Sequence, residues 1–554
     1  MPTWRFNSEN RGEVTSMATK ATNVIIFLAD DLGYSDIGGY GGEIRTPNLD
    51  RLAQSGVKLT NFHNTPRCSP SRASLLTGIH PHQTGIGILT GNNEAEGGYA
   101  GNLNNRCATI AEVLKANGYI TAITGKWHLT NSPNKPNGAW PTERGFDTFF
   151  GTLDGCATYF RPGTLTRGLE NVETEADKDP NFFYTDAIAT EAVRFLKEKP
   201  ADKPHFLYVP FTAPHWPLHA REETIKSYAG TYDEGWDSIR VKRLARQKAL
   251  GIISPETELS PRDARVLAWE DEPEKKWQAR RMEVYAAMIT EMDTAIGKIL
   301  NQVEANGEWD NTIIIFLSDN GACSEALPLD EISDFRRAKN LMSTRTRDGR
   351  RVVLGNDPDV MPGGEDTYAS YGVGWANVSN TPFRLYKRYT HEGGVMSPFI
   401  IHWPAGNLTD GKINTSTYQL VNVAPTLYDA LGVKYPEQLN GNRLEPLAGG
   451  SMLPTLQNSE THKSQLWWEH IGNAAIIRDN WKLVRQYDWD WELYDLSKDR
   501  NELNDLSADH PDIVEELTRE WQKLADKYGV IPFKKTLEIY HKQGVRATDS
   551  NHHI

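Results

Sequence analysis

Three things are scarce in this chain of 554 residues: long apolar runs, cysteine, and any surplus of positive charge. The first apolar run, Val24 to Ala29, is too short for a signal core and far too short to span a bilayer. Residues 1–22 ahead of it are polar and mixed in charge. They read as a poorly ordered lead, and the chain as an unexported, cytoplasmic protein with no membrane partner. The four cysteines, Cys68, Cys107, Cys156 and Cys323, include no CxxC pair, so neither zinc nor a redox dithiol is indicated. Four in so long a chain do not make a disulfide-stapled secreted fold. A formal net charge of -13 argues against a nucleic-acid binder, which needs a basic face. It leaves room for an anionic small substrate, because local charge can oppose net charge.

What the chain does contain is a repeating order of helix, strand and polar cluster. Val24-Ile25-Ile26-Phe27-Leu28 reads as a strand buried on both faces, as in a parallel sheet, and it ends at Asp30-Asp31. Thr46 is placed to cap a short helix with Pro47 at its first position and Gly56 after its end. Ile110, Val113 and Leu114 mark a helix before the strand Tyr119 to Thr124, which ends at Gly125-Lys126-Trp127-His128. A helix from about Tyr184 leads to the strand His205 to Phe211 and then to Ala213-Pro214-His215. Met292, Ile296, Ile299 and Val303 line a helix over about 276–304. It feeds the strand Thr312 to Leu317, which ends at Ser318-Asp319-Asn320-Gly321. This alternation implies an α/β fold, a large and mostly parallel sheet sandwiched by helices. Ligands of such sheets sit beyond the carboxyl ends of the strands, so the polar clusters are expected to converge on one edge.

Residues 325–381 are polar and glycine-bearing, too long for an ordinary connection, and read as an irregular functional loop or lid. Ser397 to Trp403 is a further strand and Gln419 to Leu431 a helix. Loop-like sequence around 440–461 separates a catalytic domain, 23–455, from a smaller C-terminal α+β unit, 456–554. In that unit Ala474 to Ile477, Lys482 to Tyr487 and Glu492 to Leu496 read as antiparallel strands before a last helix carrying Ile513, Leu517, Trp521 and Leu524.

The strand ends carry the chemistry. Asp30, Asp31, Asp319 and Asn320 offer an all-oxygen set that suits a hard divalent ion, calcium or magnesium, rather than zinc. Adjacent buried acids repel unless a cation is present. Lys126 and His128 alternate around Trp127, which points both the same way in an extended stretch. Singly, Lys126, His215 and Lys387 would pass for a surface charge or a packed residue. Arg72, Lys126 and Lys387 balance the three carboxylates, and a divalent ion would make the site net positive, which fits a sulfate ester. Trp140, Trp375, Trp467 and Trp468 are candidates for an aromatic leaving-group pocket, against the commoner role of packed tryptophan. Cys68 opens the segment Cys68-Ser69-Pro70-Ser71-Arg72, at or just before a helix start where unpaired N–H groups favour developing negative charge.

That five-residue pattern is the signature of the type I sulfatases, and from Asn23 to about Leu506 the sequence resembles that branch of the alkaline-phosphatase superfamily. It is most similar to bacterial arylsulfatases. The resemblance rests also on Ala29-Asp30-Asp31-Leu32-Gly33-Tyr34-Ser35-Asp36, Thr46-Pro47-Asn48-Leu49-Asp50, Gly125-Lys126-Trp127-His128, Ser318-Asp319-Asn320-Gly321, Glu392-Gly393-Gly394 and Glu492-Leu493-Tyr494-Asp495-Leu496. It implies that Cys68 is oxidised to formylglycine by a formylglycine-generating or anaerobic sulfatase-maturating enzyme. The hydrated aldehyde would then be the nucleophile at sulfur, with Asp30, Asp31, Asp319 and Asn320 completing a calcium site that position 68 shares. Arg72 would stabilise the modified residue. Lys126, His215 and Lys387 would hold the sulfate, and His215 with Lys387 would protonate the leaving group. His128 would take a proton from the second hydroxyl, so that the sulfated hemiacetal expels sulfate. The implied activity is hydrolysis of small-molecule sulfate monoesters, aryl esters first. A phosphonate or phosphate ester hydrolase of the same superfamily is the rival, although Asn320 stands where those relatives typically carry histidine. A non-catalytic anion-binding homologue with an unmodified cysteine is the reading from a different class.

Overall fold

The computed structural model describes residues 21–90, 97–327, 343–458 and 461–542, with side chains through Glu538. Most of the lead, 1–20, and the stretch 328–342 of the expected loop lie outside them. The molecule is built on β1, Asn23–Ala29, all seven residues of which are buried. Val24, Ile26 and Leu28 pack into the core on one face of the sheet, and Ile25, Phe27 and Ala29 into the core on the other. That two-sided burial is why the run has no polar alternation.

β1 lies between β7, His205–Pro210, and β8, Thr312–Ser318, and is parallel to both. β3, Ile120–Thr124, and β4, Thr148–Thr152, extend the parallel order beyond β7. Antiparallel β5, Leu165–Arg167, and β6, Glu170–Asn171, close that side of a ten-stranded sheet. On the other side the strand Phe399–His402 runs antiparallel between β8 and β2, Val57–His63, and Lys412–Gln419 forms the edge beyond β2. The sheet is therefore mostly parallel, with Phe399–His402 reversed inside it. Helices cover both faces, among them α1, Pro47–Ser55, with Tyr184–Glu198 and Lys275–Ala305 on one, and α2, Cys68–Thr77, with Ile110–Ala116 and Val423–Leu431 on the other. No helix among the described residues is long and apolar enough to cross a membrane.

Several local expectations are corrected. Thr46 does not cap α1 with its side chain; its hydroxyl donates to Asp50 and accepts from the Gly38 N–H. The stretch 325–381 is not irregular throughout, since it contains the strand pair Val353–Leu354 and Thr367–Tyr368 and the helix Gly372–Ser379. Trp375 on that helix is fully buried in the core, so this part is packed body rather than lid. The four tryptophans proposed for a pocket are buried with their indole N–H groups spent on backbone carbonyls, of Ser132, Gln278, Trp521 and Asn64 respectively.

Toward the C-terminus, Leu466–His470, Asn473–Arg478, Trp481–Arg485 and Glu492–Asp495 form a four-stranded antiparallel sheet. Pro511–Tyr528 packs on it, and a further helix, Phe533–Lys542, follows. A buried ion network ties this sheet to the large one: Lys482 meets Glu392 at 2.6 Å and Glu502 at 2.7 Å, and His63 approaches Glu392 at 3.2 Å. The loop after β8 then backs against the Glu392-Gly393-Gly394 turn. The Gly321 N–H donates to the Gly394 carbonyl at 3.0 Å, and a Cβ on Gly321 would stand 1.9 Å from the Gly393 carbonyl oxygen. Only glycine permits that approach.

Candidate active site

The residues singled out in the sequence come together at the carboxyl ends of β1, β3, β7 and β8. At the end of β1 the backbone turns through φ +65 at Asp31, a left-handed conformation that aspartate tolerates better than most residues. The turn ends the strand alternation that would send adjacent carboxylates to opposite faces. Asp30 Oδ2 accepts from Lys126 Nζ at 2.5 Å and lies 3.5 Å from Arg72 Nη2. Asp31 Oδ2 accepts from Lys387 Nζ at 2.8 Å and lies 3.4 Å from His215 Nε2. From β8, Asp319 accepts from the Asp31 N–H at 3.1 Å and from Arg72 Nη2 at 2.9 Å. Asn320 Nδ2 donates to Asp31 Oδ1 at 2.7 Å. All these side chains are buried.

Cys68 begins α2, and its first-turn N–H groups have no helical acceptors. The side chain is 3% exposed, and Sγ lies 3.4 Å from His128 Nδ1. Arg72, one turn on, donates to the Lys126 carbonyl at 3.0 Å and so joins α2 to the end of β3. His128 reaches Cys68 by a route other than the extended alternation expected, because its own backbone has φ +58. His215 is oriented by its Nδ1–H, which donates to the Trp216 carbonyl at 2.6 Å. That leaves Nε2 facing Asp31.

Burial and neighbouring charge set the protonation states. Burial, reinforced by Asp319, pushes Asp30 up to about 8 against the pull of Lys126 and Arg72. Two acids crowded in low dielectric do not both ionise without a counter-cation. Burial, with Lys126, Arg72 and Lys387, drives His128 well below the ordinary histidine range, and burial with Lys387 and Lys126 does the same to His215. Burial acts to lower Lys387 too, but Asp31 overrides it and holds the ammonium well above its usual range.

The site passes a simple test for a hard cation. Asp30 Oδ1 and Asn320 Oδ1 are buried with no hydrogen-bond partner, and such orphaned oxygens cost free energy unless something positive meets them. Ligand atoms of Asp30, Asp31 and His215 lie within 4.8 Å of one another, a grouping that can hold a metal. It overlaps the sequence-derived set but brings in His215, while both Asp319 oxygens already accept hydrogen bonds.

Four neighbours escaped sequence reasoning: Arg67, Trp216, Glu325 and Arg388. Glu325 accepts from Arg67 Nη1 and from Trp216 Nε1, each at 3.1 Å, and Arg67, Lys387 and Arg388 outweigh burial to hold its carboxyl well below the usual range. Trp216 packs with Cys156, Cys323, Leu327, Val352 and Tyr368, an apolar wall beside the polar edge. Their only sequence signal was position, since three of them adjoin Cys68, His215 or Lys387.

Buried carboxylates, two neutral imidazoles and three cationic side chains thus meet at one sheet edge, an arrangement suited to an anionic ligand. The sulfatase family model matches residues 22–433, and the model of the N-sulphoglucosamine sulphohydrolase C-terminal region matches residues 383–527. An arylsulfatase of Klebsiella aerogenes is 36% identical over 443 residues, 78% of this chain and 91% of its own length. An uncharacterized sulfatase of Schizosaccharomyces pombe is 34% identical over 549 residues, 93% of this chain and 95% of its own. Among solved structures, Ps i-CgsB in complex with k-i-k-neocarrahexaose aligns with a TM-score of 0.64 at 24% identity, over 91% of this chain and 93% of the other. That likeness concerns the fold alone. The chain belongs to the sulfatase family.

Proposed function

We propose that this protein hydrolyses sulfate monoesters, aryl sulfates first, with position 68 as nucleophile after oxidation of Cys68 to formylglycine. One observation carries the reading. Cys68 Sγ lies 3.4 Å from His128 Nδ1 at a helix start, on the edge where Asp30, Asp31, Asp319 and Asn320 meet. The hydrated aldehyde supplies two hydroxyls, one to attack sulfur and one whose deprotonation releases sulfate, which a serine could not do. Asp30, Asp31, Asp319 and Asn320 would hold a calcium ion beside position 68, and bound there it adds positive charge where the ester oxygens become negative.

In this reading each side chain of the chain has a task. Lys126 and Lys387 hold the sulfate oxygens, and Arg72 steadies position 68 while pairing with Asp319. His128, neutral because it is buried among cations, is suited to accept a proton from the hydroxyl left after sulfate transfer. The protonated Lys387 delivers a proton to the departing oxygen, and His215, whose Nδ1–H is held by the Trp216 carbonyl while burial keeps the ring neutral, acts as a second donor only after its Nε2 has taken up a proton. The apolar wall around Trp216 and Tyr368 suits an aromatic leaving group. At 3% exposure, Cys68 is out of reach in the folded protein, so the oxidising enzyme must act before folding. Four free, buried cysteines fit a reducing compartment such as the cytoplasm.

The test compares rates on an aryl sulfate and on the matched phosphonate monoester. Sulfate should be the faster substrate, consistent with asparagine at 320. Faster phosphonate turnover would reject the assignment in favour of the rival hydrolase.

A further inference from the structure

Among the described residues, no acceptor meets two of the three nitrogens of the buried Arg388 guanidinium. The residue is 7% exposed, its backbone has φ +86, and neither Nε nor Nη2 has a hydrogen-bond partner. Arg72, Arg144 and Arg243 are at least as buried and each meets a carboxylate, while Arg240 and Arg281, as buried and without one, donate to Ser260 and to Ser370 and Gln278. The carboxylate near Arg388 is Glu325, which is already engaged by Arg67 and Trp216. An unpaired buried charge and a left-handed non-glycine backbone are both costly, and such costs persist where function needs them.

The position is fixed from both sides. The Arg388 N–H donates to the Pro66 carbonyl at 2.7 Å, just before Arg67 and Cys68, and the Arg388 carbonyl accepts from Asn473 Nδ2 of the small sheet at 3.0 Å. Arg388 also follows Lys387 directly. It thus lies beside the reaction centre but apart from the groups that would hold the scissile sulfate. Burial together with the nearby charge of Arg67 lowers Arg388 to about 10, still charged at neutral pH, and burial with both arginines depresses His470. Two guanidinium groups against the single carboxylate of Glu325 leave a positive surplus there. A planar guanidinium with free N–H groups is built to accept a carboxylate or sulfate oxygen pair.

We propose that Arg388, with Arg67 beside it, forms a second oxyanion subsite that takes a carboxylate or second sulfate group carried by the leaving group. The preferred substrates are then sulfate esters bearing two anionic groups. This inference rests on the sulfatase reading above and narrows it to a substrate class.

The test measures kcat/KM of the fully modified enzyme on para-nitrophenyl sulfate and on analogues bearing a ring carboxylate or a ring sulfonate, the latter standing in for a second sulfate. The wild type should prefer one or both charged analogues by about tenfold or more, chiefly through KM. Which analogue gains more identifies the natural group. Arg388→Gln should bring the preference to within about twofold of unity and Arg388→Lys should keep part of it, because the charge rather than the packing is being read. Circular dichroism and the thermal midpoint establish that the variants fold; if Arg388→Gln does not, the wild-type ratios decide alone. Equal rates on all three substrates, or an equal loss on all three in Arg388→Gln, would overturn the subsite. No turnover of para-nitrophenyl sulfate at all would instead reject the sulfatase reading itself.

Discussion

Asn320 donates its amide N–H to Asp31 at 2.7 Å while its own side-chain oxygen stays buried with no partner. That hydrogen bond fixes which end of the amide is left as an acceptor. With Asp30 Oδ1, also unpartnered, it makes a pair of oxygens that a hard cation would satisfy. Asp319→Ala removes one carboxylate and frees the Asp31 N–H and Arg72 together. Calcium bound per purified chain should fall from about one to under about a tenth, since single ligand-shell losses cost tenfold to a hundredfold in affinity. Undiminished calcium in this variant would contradict the ligand assignment.

Replacing Cys68 by alanine should abolish turnover, by about ten-thousandfold or more, because a nucleophile and its partners act as a unit. The deleted sulfur is small and sits at a helix start, so the thermal midpoint should move by no more than about 5 °C. The pair of measurements separates chemistry from folding. Retained turnover of an aryl sulfate by Cys68→Ala would end the aldehyde mechanism.

Lys482 bridges Glu392 and Glu502 in the network joining the two sheets. It holds Glu392, together with His63 and in spite of burial, well below the ordinary carboxylate range. Lys482→Met leaves two buried acids facing each other, a loss on the order of 3–5 kcal/mol. Urea denaturation monitored by tryptophan fluorescence should show a much lower midpoint. The sign with pH follows from the depressed carboxyl: its contribution is full above the usual glutamate range and disappears as acid protonates it. An unchanged midpoint at neutral pH would mean that the two sheets are held by packing alone.

His219 lies between the Tyr159 N–H and the Thr367 carbonyl, and burial lowers it to about 4 although that carbonyl pulls the other way. Its folded pKa is below its unfolded one, so the unfolded chain takes up the proton first. Stability is therefore complete above about 6.5 and is lost as pH falls from there toward 4. At pH 5 the loss from this residue is about 2 kcal/mol. His219→Gln should reduce the fall in unfolding free energy between pH 7 and pH 5 by that amount. A slope identical to wild type would show that His219 does not stay neutral when folded.

The sheet was legible because β1, β7 and β8 are buried on both faces and carry near-continuous apolar runs. Their polar ends were legible for the same reason, since Asp30-Asp31 and Asp319-Asn320 stand out against Leu28 and Leu317. What stayed hidden depends on tertiary partners. β2 has lysine and asparagine within it and takes its place only by pairing with Phe399–His402 and Lys412–Gln419. The helix Gly235–Ala249 is rich in Arg and Lys, yet it buries Arg243 on Asp36 and Glu43, an ion network no periodicity reveals. Arg67, Glu325 and Arg388 look like surface charges in sequence, and only the fold puts Glu325 against Arg67 and leaves Arg388 without a carboxylate of its own among the described residues. The juxtaposition of Cys68 and His128 likewise needed a left-handed backbone at 128 that alternation does not foresee.

The most direct test is the mass of the peptide containing Cys68 from a preparation that hydrolyses aryl sulfate. The account predicts an aldehyde or its hydrate at position 68, in a fraction that rises and falls with specific activity across preparations made with and without a formylglycine-forming enzyme. A fully active preparation carrying only free thiol at Cys68 would contradict it.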